Sequence, residues 1–541
     1  MISKRDLLLA STATATWTLA ARVGLAQQAT SGPATSPEGT GEPLYSERYR
    51  PQYHYSPPLN FMNDPNGLVY FNGIYNLYYQ YNPFGLVAGN QSWGHAISTD
   101  LVNWQTLPIA IPETPAGYIF SGSAVVDANN TSGFFSGVQG GGIVAIYTLA
   151  TYVNGQSVAQ RQNIAYSLDG GVTYTNYSGN PVVDIGSNQF RDPQVAFHAE
   201  TNQWVMAVAE SAAWKVLFYT SPDLKNWTQV GSFGPAGWLG AQYEVPNLIQ
   251  VPIEGTNQTK WVLLVSINPG APQGGSATQY FYGTFDGANF TPDDDGTRFM
   301  EFGKDAYAME VYNNLPTSDA IAITWLSNWE YAQTVPTFPW RSQMSVPRVL
   351  TLRTTASDEG YVLAQNPIPA ITSLRDQTLQ NGSVTVSDGT PFSVALNGSQ
   401  SLEIVVTMTS AAGTGMGMVS LTNGTESLTF AYDWGAQAVY IDRGGTQGFV
   451  NPYFTDFFST NYAATNGTIT LRALIDVSTL ELFVDNGSRV ASSLFFFKNP
   501  PDNLVFSAQG GTIQVDDLQV YTYRSIWQAM TQSAAQSSQP G

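Results

Sequence analysis

A seven-residue phrase that returns later in the chain limits the possible folds more than any other feature. Ser98-Thr99-Asp100-Leu101-Val102-Asn103-Trp104 reappears as Ser221-Pro222-Asp223-Leu224-Lys225-Asn226-Trp227, with fainter echoes at Ser167-Leu168-Asp169-Gly170 and Phe285-Asp286-Gly287. The four aspartates stand 69, 54 and 63 residues apart. Self-similarity at a near-fixed period is the signature of a repeat architecture. Around the echoes the chain reads as short strands: residues 67–71 and 74–80 flank Asn72-Gly73, a strong hairpin signal. A period near 60 in such a chain predicts propeller blades of four strands with long loops, and residues 50–350 hold five units. Repeated turn chemistry without radial symmetry is the competing reading.

After about residue 376 the pattern becomes plain alternation, as in residues 401–407, 469–475 and 480–484, broken by turns such as Asp485-Asn486-Gly487. This predicts a β-sandwich. The expected fold class is therefore all-β, a five-bladed β-propeller followed by a C-terminal β-sandwich. The propeller is expected over residues 47–352 and the sandwich over 376–525, with a Pro367- and Pro369-containing connection over 353–375. Residues 1–26 read as an export signal, with basic Lys4 and Arg5, a short apolar run and Gly24-Leu25-Ala26 as a cleavage site. Residues 3–8 also approach a twin-arginine signal. Secretion, extracellular or periplasmic, is the expectation. Residues 27–46 suit a flexible linker and 526–541 a disordered tail.

Composition narrows the function. Hydrophobic residues at 43% supply a large core, while charged residues at 11% fall far below the usual level of about 25%. The net charge of −19 opposes a nucleic-acid or anionic-membrane partner. With no cysteine, disulfides and thiolate chemistry are excluded. His54, His95 and His198 lack metal-ligand spacing, so no metal site is expected. Neither a serine nucleophile elbow nor a phosphate loop occurs. A homodimer is compatible with the sequence and not indicated by it.

Carboxylates remain. Asp64 lies in Phe61-Met62-Asn63-Asp64-Pro65-Asn66-Gly67, an acid fixed by the following proline with amides on either side. Asp192 lies in Phe190-Arg191-Asp192-Pro193, beside a cation. Glu244 lies in Tyr243-Glu244-Val245-Pro246, flanked by apolar and aromatic neighbours, a setting suited to a proton donor. Taken singly, Asp-Pro-Asn-Gly is an ordinary Asx-type turn. Three such settings at roughly blade-length intervals point instead to one funnel at a propeller axis. Glycoside cleavage with retention needs two carboxyl groups about 5–5.5 Å apart, and a third can stabilise the transition state.

At these residues the chain resembles family 32 of the glycoside hydrolases, which includes invertases, exo-inulinases, levanases and related fructosyltransferases. The resemblance spans roughly residues 47–525 and rests on motif order: residues 61–67, Phe120-Ser121-Gly122-Ser123, Arg191-Asp192-Pro193, Glu244-Val245-Pro246 and Trp340-Arg341-Ser342. It implies a retaining exo-acting β-fructofuranosidase that takes sucrose or a fructan as substrate without a cofactor. Asp64 matches the nucleophile, Glu244 the acid/base and Asp192 the transition-state stabiliser, with Arg191 as its partner. Asn63, Gln80, Phe120, Ser121 and Trp340 match residues that line the fructosyl pocket. Phe61 replaces the family's usual Trp and should keep an aromatic wall. Val245 replaces a common Cys, and Ala88 stands where many members place a pocket-wall Trp. Either the pocket widens there or Phe84 swings in. A fructosyltransferase using the same residues, or a non-catalytic fructan-binding propeller, are the competing functions.

Overall fold

The computed structural model describes residues 44–527 apart from Ser357 and Glu359. The expected export signal, nearly all of the linker, and residues 528–541 lie outside the described residues.

Five antiparallel sheets form the N-terminal part, their innermost strands being Asn60–Phe71, Tyr118–Val126, Phe190–His198, Tyr243–Pro252 and Tyr307–Val311. Each inner strand is buried along most of its length, since neighbouring blades cover both of its faces. The burial is continuous although the strands themselves carry polar residues, Asn63, Asp64 and Asn66 in the first and Arg191, Asp192 and Gln194 in the third. Blade cores fill the spaces between sheets, for example Val125, Val144, Ile146, Val195, Met206 and Val208 between the second and third. The ring is tied shut where Trp340–Arg341 pairs in parallel with Asn60 and Phe61.

The repeated phrase sits at one place in the blade, the turn from third to fourth strand. Asp100 accepts the amides of Val102 and Asn103, and Asp223 those of Lys225 and Asn226. Ser98 and Ser221 cap their own aspartates. Asp169 and Asp286 serve the corresponding turns of the second and fourth blades. The fifth blade makes the turn differently, Thr355 donating to Asp358. The repeat is thus radial and is made of turn chemistry at the same time.

Residues 362–367, within the stretch expected as a connection, form the outer strand of the fifth blade. Pro367 stands at its last position, where an edge strand tolerates proline. The sandwich follows as two six-stranded sheets enclosing Ile404, Val406, Leu421, Phe430, Leu471, Leu482 and Phe506.

One regularity of the propeller positions the chemistry. Every inner strand carries a one-residue bulge against its neighbour, between Met62 and Pro65, Ile119 and Gly122, Arg191 and Gln194, Glu244 and Asn247, and Tyr307 and Glu310. A bulge breaks the strict alternation of a strand and re-aims a side chain. Five bulges at one level turn five inner strands toward one axial funnel. Asp192, Val245 and Ala308 have φ values of 64°, 45° and 55° there, conformations costly for side chains other than Gly and typical of functional sites.

Candidate active site

A funnel of about 270 Å³ opens at the bulges, lined by Asn63, Asp64, Gln80, Gln91, Phe120, Ser121, Arg191, Asp192, Glu244, Asn268, Tyr307 and Trp329. The three sequence-selected carboxylates meet here although 180 residues separate the first from the last.

Asp64 is held from two sides. Ser121 Oγ donates to its Oδ2 at 2.8 Å and Asn63 Nδ2 to its Oδ1 at 3.2 Å. Burial and the nearby Glu244 charge push its pKa up to about 6 from an ordinary 3.8, against the pull of those two hydrogen bonds. Gln80, deep in the wall, donates to the Ile119 carbonyl at 3.0 Å and so fastens the first blade to the bulge that carries Phe120 and Ser121.

Asp192 spans two further blades. Its amide donates to Thr148 Oγ1 at 3.0 Å, and its Oδ2 accepts the Val245 amide at 3.0 Å, next to Glu244. Burial raises its pKa; Arg191 opposes this, while Glu244 and Asp64 add to it.

Glu244 is the most open of the three, its side chain 16% exposed against 6% for Asp192. The apolar neighbours expected to enclose it do not. Residues adjacent on a strand point to opposite faces, and Tyr243 and Val245 pack into cores away from the carboxyl. Instead Arg191 Nε donates to Glu244 Oε1 at 3.0 Å and the Tyr307 hydroxyl donates to Oε2. Burial first, and Glu244 second, keep the Tyr307 phenol protonated. Arg191 also stands beside Asp192 as expected, its Nε 4.0 Å from that carboxylate, and its charge pulls the Asp192 pKa down. The direct hydrogen bonds of the guanidinium go to Glu244, Gln160 and Gln189.

Trp340 is not part of the funnel. It is fully buried, with the Arg50 guanidinium 3.6 Å from its ring centroid, in a cluster with Tyr331, Val335, Phe454 and Phe496. Its strand closes the propeller ring, so its side chain is committed to the join with the sandwich. Trp329 takes the expected place in the wall. Phe61, expected as an aromatic wall itself, is buried behind it, ring centroids 6.0 Å apart. Phe84 is 58% exposed, and neither it nor Ala88 lines the funnel. Sequence reasoning missed Tyr307, Trp329, Asn268 and Gln91. Only Asn268-Pro269-Gly270 carried a signal, as turn punctuation; Tyr307 follows no proline and belongs to no motif.

Among the described residues no group of three or more His, Asp or Glu is gathered in a way that could hold a metal ion, and no helix is long and apolar enough to cross a membrane. What the funnel does hold is acid, base and fixed hydrogen-bond donors around a sugar-sized cavity, the equipment of a glycoside hydrolase.

The comparisons place it more narrowly. Residues 54–367 match the N-terminal domain of glycosyl hydrolases family 32 and residues 370–522 match its C-terminal domain; the chain belongs to this family. It is 40% identical over 516 residues to an invertase of Schizosaccharomyces pombe, covering 89% of this chain and 86% of that one. A levanase of Bacillus subtilis is 37% identical over 505 residues, 91% of this chain and 73% of the relative. The exo-inulinase structure from Aspergillus awamori superposes with a TM-score of 0.84 at 35% identity, covering 89% of this chain and all of that one.

Proposed function

We propose that the chain is a secreted, retaining, exo-acting β-fructofuranosidase that releases terminal fructose from sucrose or a fructan. The observation that carries this reading is the convergence of Asp64, Asp192 and Glu244 on one funnel with a single guanidinium among them. Asp64, oriented by Ser121 and Asn63, attacks the anomeric carbon. Glu244, the carboxyl most open to solvent, protonates the departing oxygen and then takes a proton from the attacking water. Arg191 and Tyr307 fix Glu244 for both transfers. Asp192 is buried beneath the site and serves the charge of the oxocarbenium-like transition state and the fructose hydroxyls. The complete carboxylate set argues against a binding-only propeller.

The test is incubation with sucrose, inulin and levan, followed by chromatography over time and NMR of the first product. Fructose should be the sole early product and should appear as the β-anomer. Internal oligosaccharides at early times, or α-fructose first, would overturn the exo or the retaining part of the proposal.

A further inference from the structure

Trp238 lies outside the funnel lining, in the loop that enters the fourth blade at the end carrying Glu244, and takes no part in the chemistry above. It lies in the loop between the third and fourth blades, six residues before Glu244, and leaves 47% of its surface exposed. It is nevertheless fixed. Its indole N–H donates to the Gly270 carbonyl at 2.6 Å. Its own amide donates to Gln279 Oε1 at 2.9 Å, and its carbonyl accepts from Gln279 Nε2 at 2.8 Å, a clamp made by a fully buried side chain. Tyr243, adjacent to Glu244, accepts the Ala236 amide at 3.1 Å and donates its hydroxyl to the Ala236 carbonyl. Gly237 lets the backbone through at φ +63°, where a Cβ would meet Gln279 Oε1 at 2.5 Å.

The anchoring loop also reaches the site. Gly270 is two residues beyond Asn268, which lines the funnel, so at most about 7 Å of chain separates the anchor from the wall. Both loops leave the fourth blade at the Tyr243–Ile267 end of its sheet, the end that carries Glu244. The loops therefore hold a tryptophan whose polar edge is satisfied, whose ring meets Phe299 edge-on at 6.4 Å between centroids, and about half of whose surface remains in water, with Leu239, 37% exposed, beside it. Holding an aromatic surface rigid before a ligand arrives lowers the ordering cost of binding. A ligand that suits it presents an apolar C–H face edged by hydroxyls, as a sugar ring does.

We propose that Trp238 is a platform for a sugar ring of the leaving chain beyond its first unit, and that it favours fructo-oligosaccharides and fructans over sucrose. The inference rests on the reading of the funnel as a fructosyl site. Kinetics of the wild type, Trp238→Ala and Trp238→Phe on sucrose and on purified oligofructans of both common linkages test it. For at least one linkage, the ratio of kcat/KM on the oligofructan to that on sucrose should fall about fivefold in Trp238→Ala. The fall should come mainly through KM, and Trp238→Phe should keep most of the ratio. An unchanged ratio for both linkages, or an equal loss on every substrate, overturns the proposal. Failure of the wild type to release fructose from any of them would instead overturn the reading of the funnel, and this platform with it.

Discussion

Carboxylates are buried in two regions of this protein, the funnel and the seam between propeller and sandwich, and the two treat them in opposite ways. In the funnel Asp64, Asp192 and Glu244 share one cation, Arg191, and buried Glu310 adds a fourth acid on the same inner strand as Tyr307. At the seam His54 presents Nδ1 to Asp476 at 3.0 Å and Nε2 to Glu481 at 2.8 Å. Both ring nitrogens face carboxylates, an arrangement that calls for the imidazolium. Arg348 bridges Glu481 and Glu301, and Arg443 meets Asp305. Burial alone pushes Asp64, Asp192, Glu310, Glu301, Asp476 and Glu481 upward, and Glu301 stays raised even beside Arg348. The counter-charges of the seam reverse the sign for Asp476 and Glu481, which lie below the usual carboxylate range, whereas Asp64 rises to about 6. Equal burial thus yields an electrostatic rivet where charges are matched and chemical reactivity where they are not.

The strongest way to break this contrast is to remove acids from each region and compare. Asp64→Ala should lower kcat by about 10⁴-fold or more, and Glu244→Ala by about 10²–10⁴-fold, with little change in melting temperature. Azide should partly rescue only Glu244→Ala, because a small anion can attack the fructosyl-enzyme without a base. A correctly folded variant that kept more than about a tenth of the activity would remove that residue from its role.

At the seam the effect should fall on stability. Glu481→Gln leaves His54 and Arg348 short of a counter-charge and should cost about 3–5 kcal/mol in denaturant unfolding, while the protein that remains folded still turns over. A loss below about 1 kcal/mol would mean that the seam is no rivet.

The pH dependence of stability should separate the acids of the two regions by sign, while seam His54 shares the sign of funnel Asp64. His54 is raised to about 9 from 6.5, so its contribution is fully present below the unfolded value and is lost as pH rises through about 9. The shift corresponds to roughly 3 kcal/mol. Asp476 and Glu481 are depressed, and their contribution is lost as pH falls below about 4. Asp64 is raised, so the folded state binds more protons between about 4 and 6 and stability declines as pH rises through that window. Melting curves of the wild type and His54→Gln across pH 7 to 10 check the largest of these. If the variant keeps the alkaline decline, His54 is not its source.

The smallest expected effect concerns Ser121, whose hydrogen bond holds the Asp64 pKa down. In Ser121→Ala the acid limb of kcat/KM should move upward from about 6 by up to about one unit. An unmoved limb would show that it belongs to another group.

The sequence by itself determined what is encoded over short stretches: strands from alternation, the blade period from the Asp100 and Asp223 turns, and the identity of Asp64, Asp192 and Glu244 from local motifs. It also misassigned Trp340 to the funnel, because motif order says which residues occur together and nothing about the face to which each turns. That face was decided by the bulges, the ring closure beside Asn60 and the packing of the sandwich against Arg50 and Trp340. The same holds for the partners of Glu244. Arg191 and Tyr307 reach it from other blades, 53 and 63 residues away, and contacts between blades arise only when the ring is closed. The electrostatic state of each buried acid depends on which charges then lie within a few ångströms, and only the tertiary structure sets those distances.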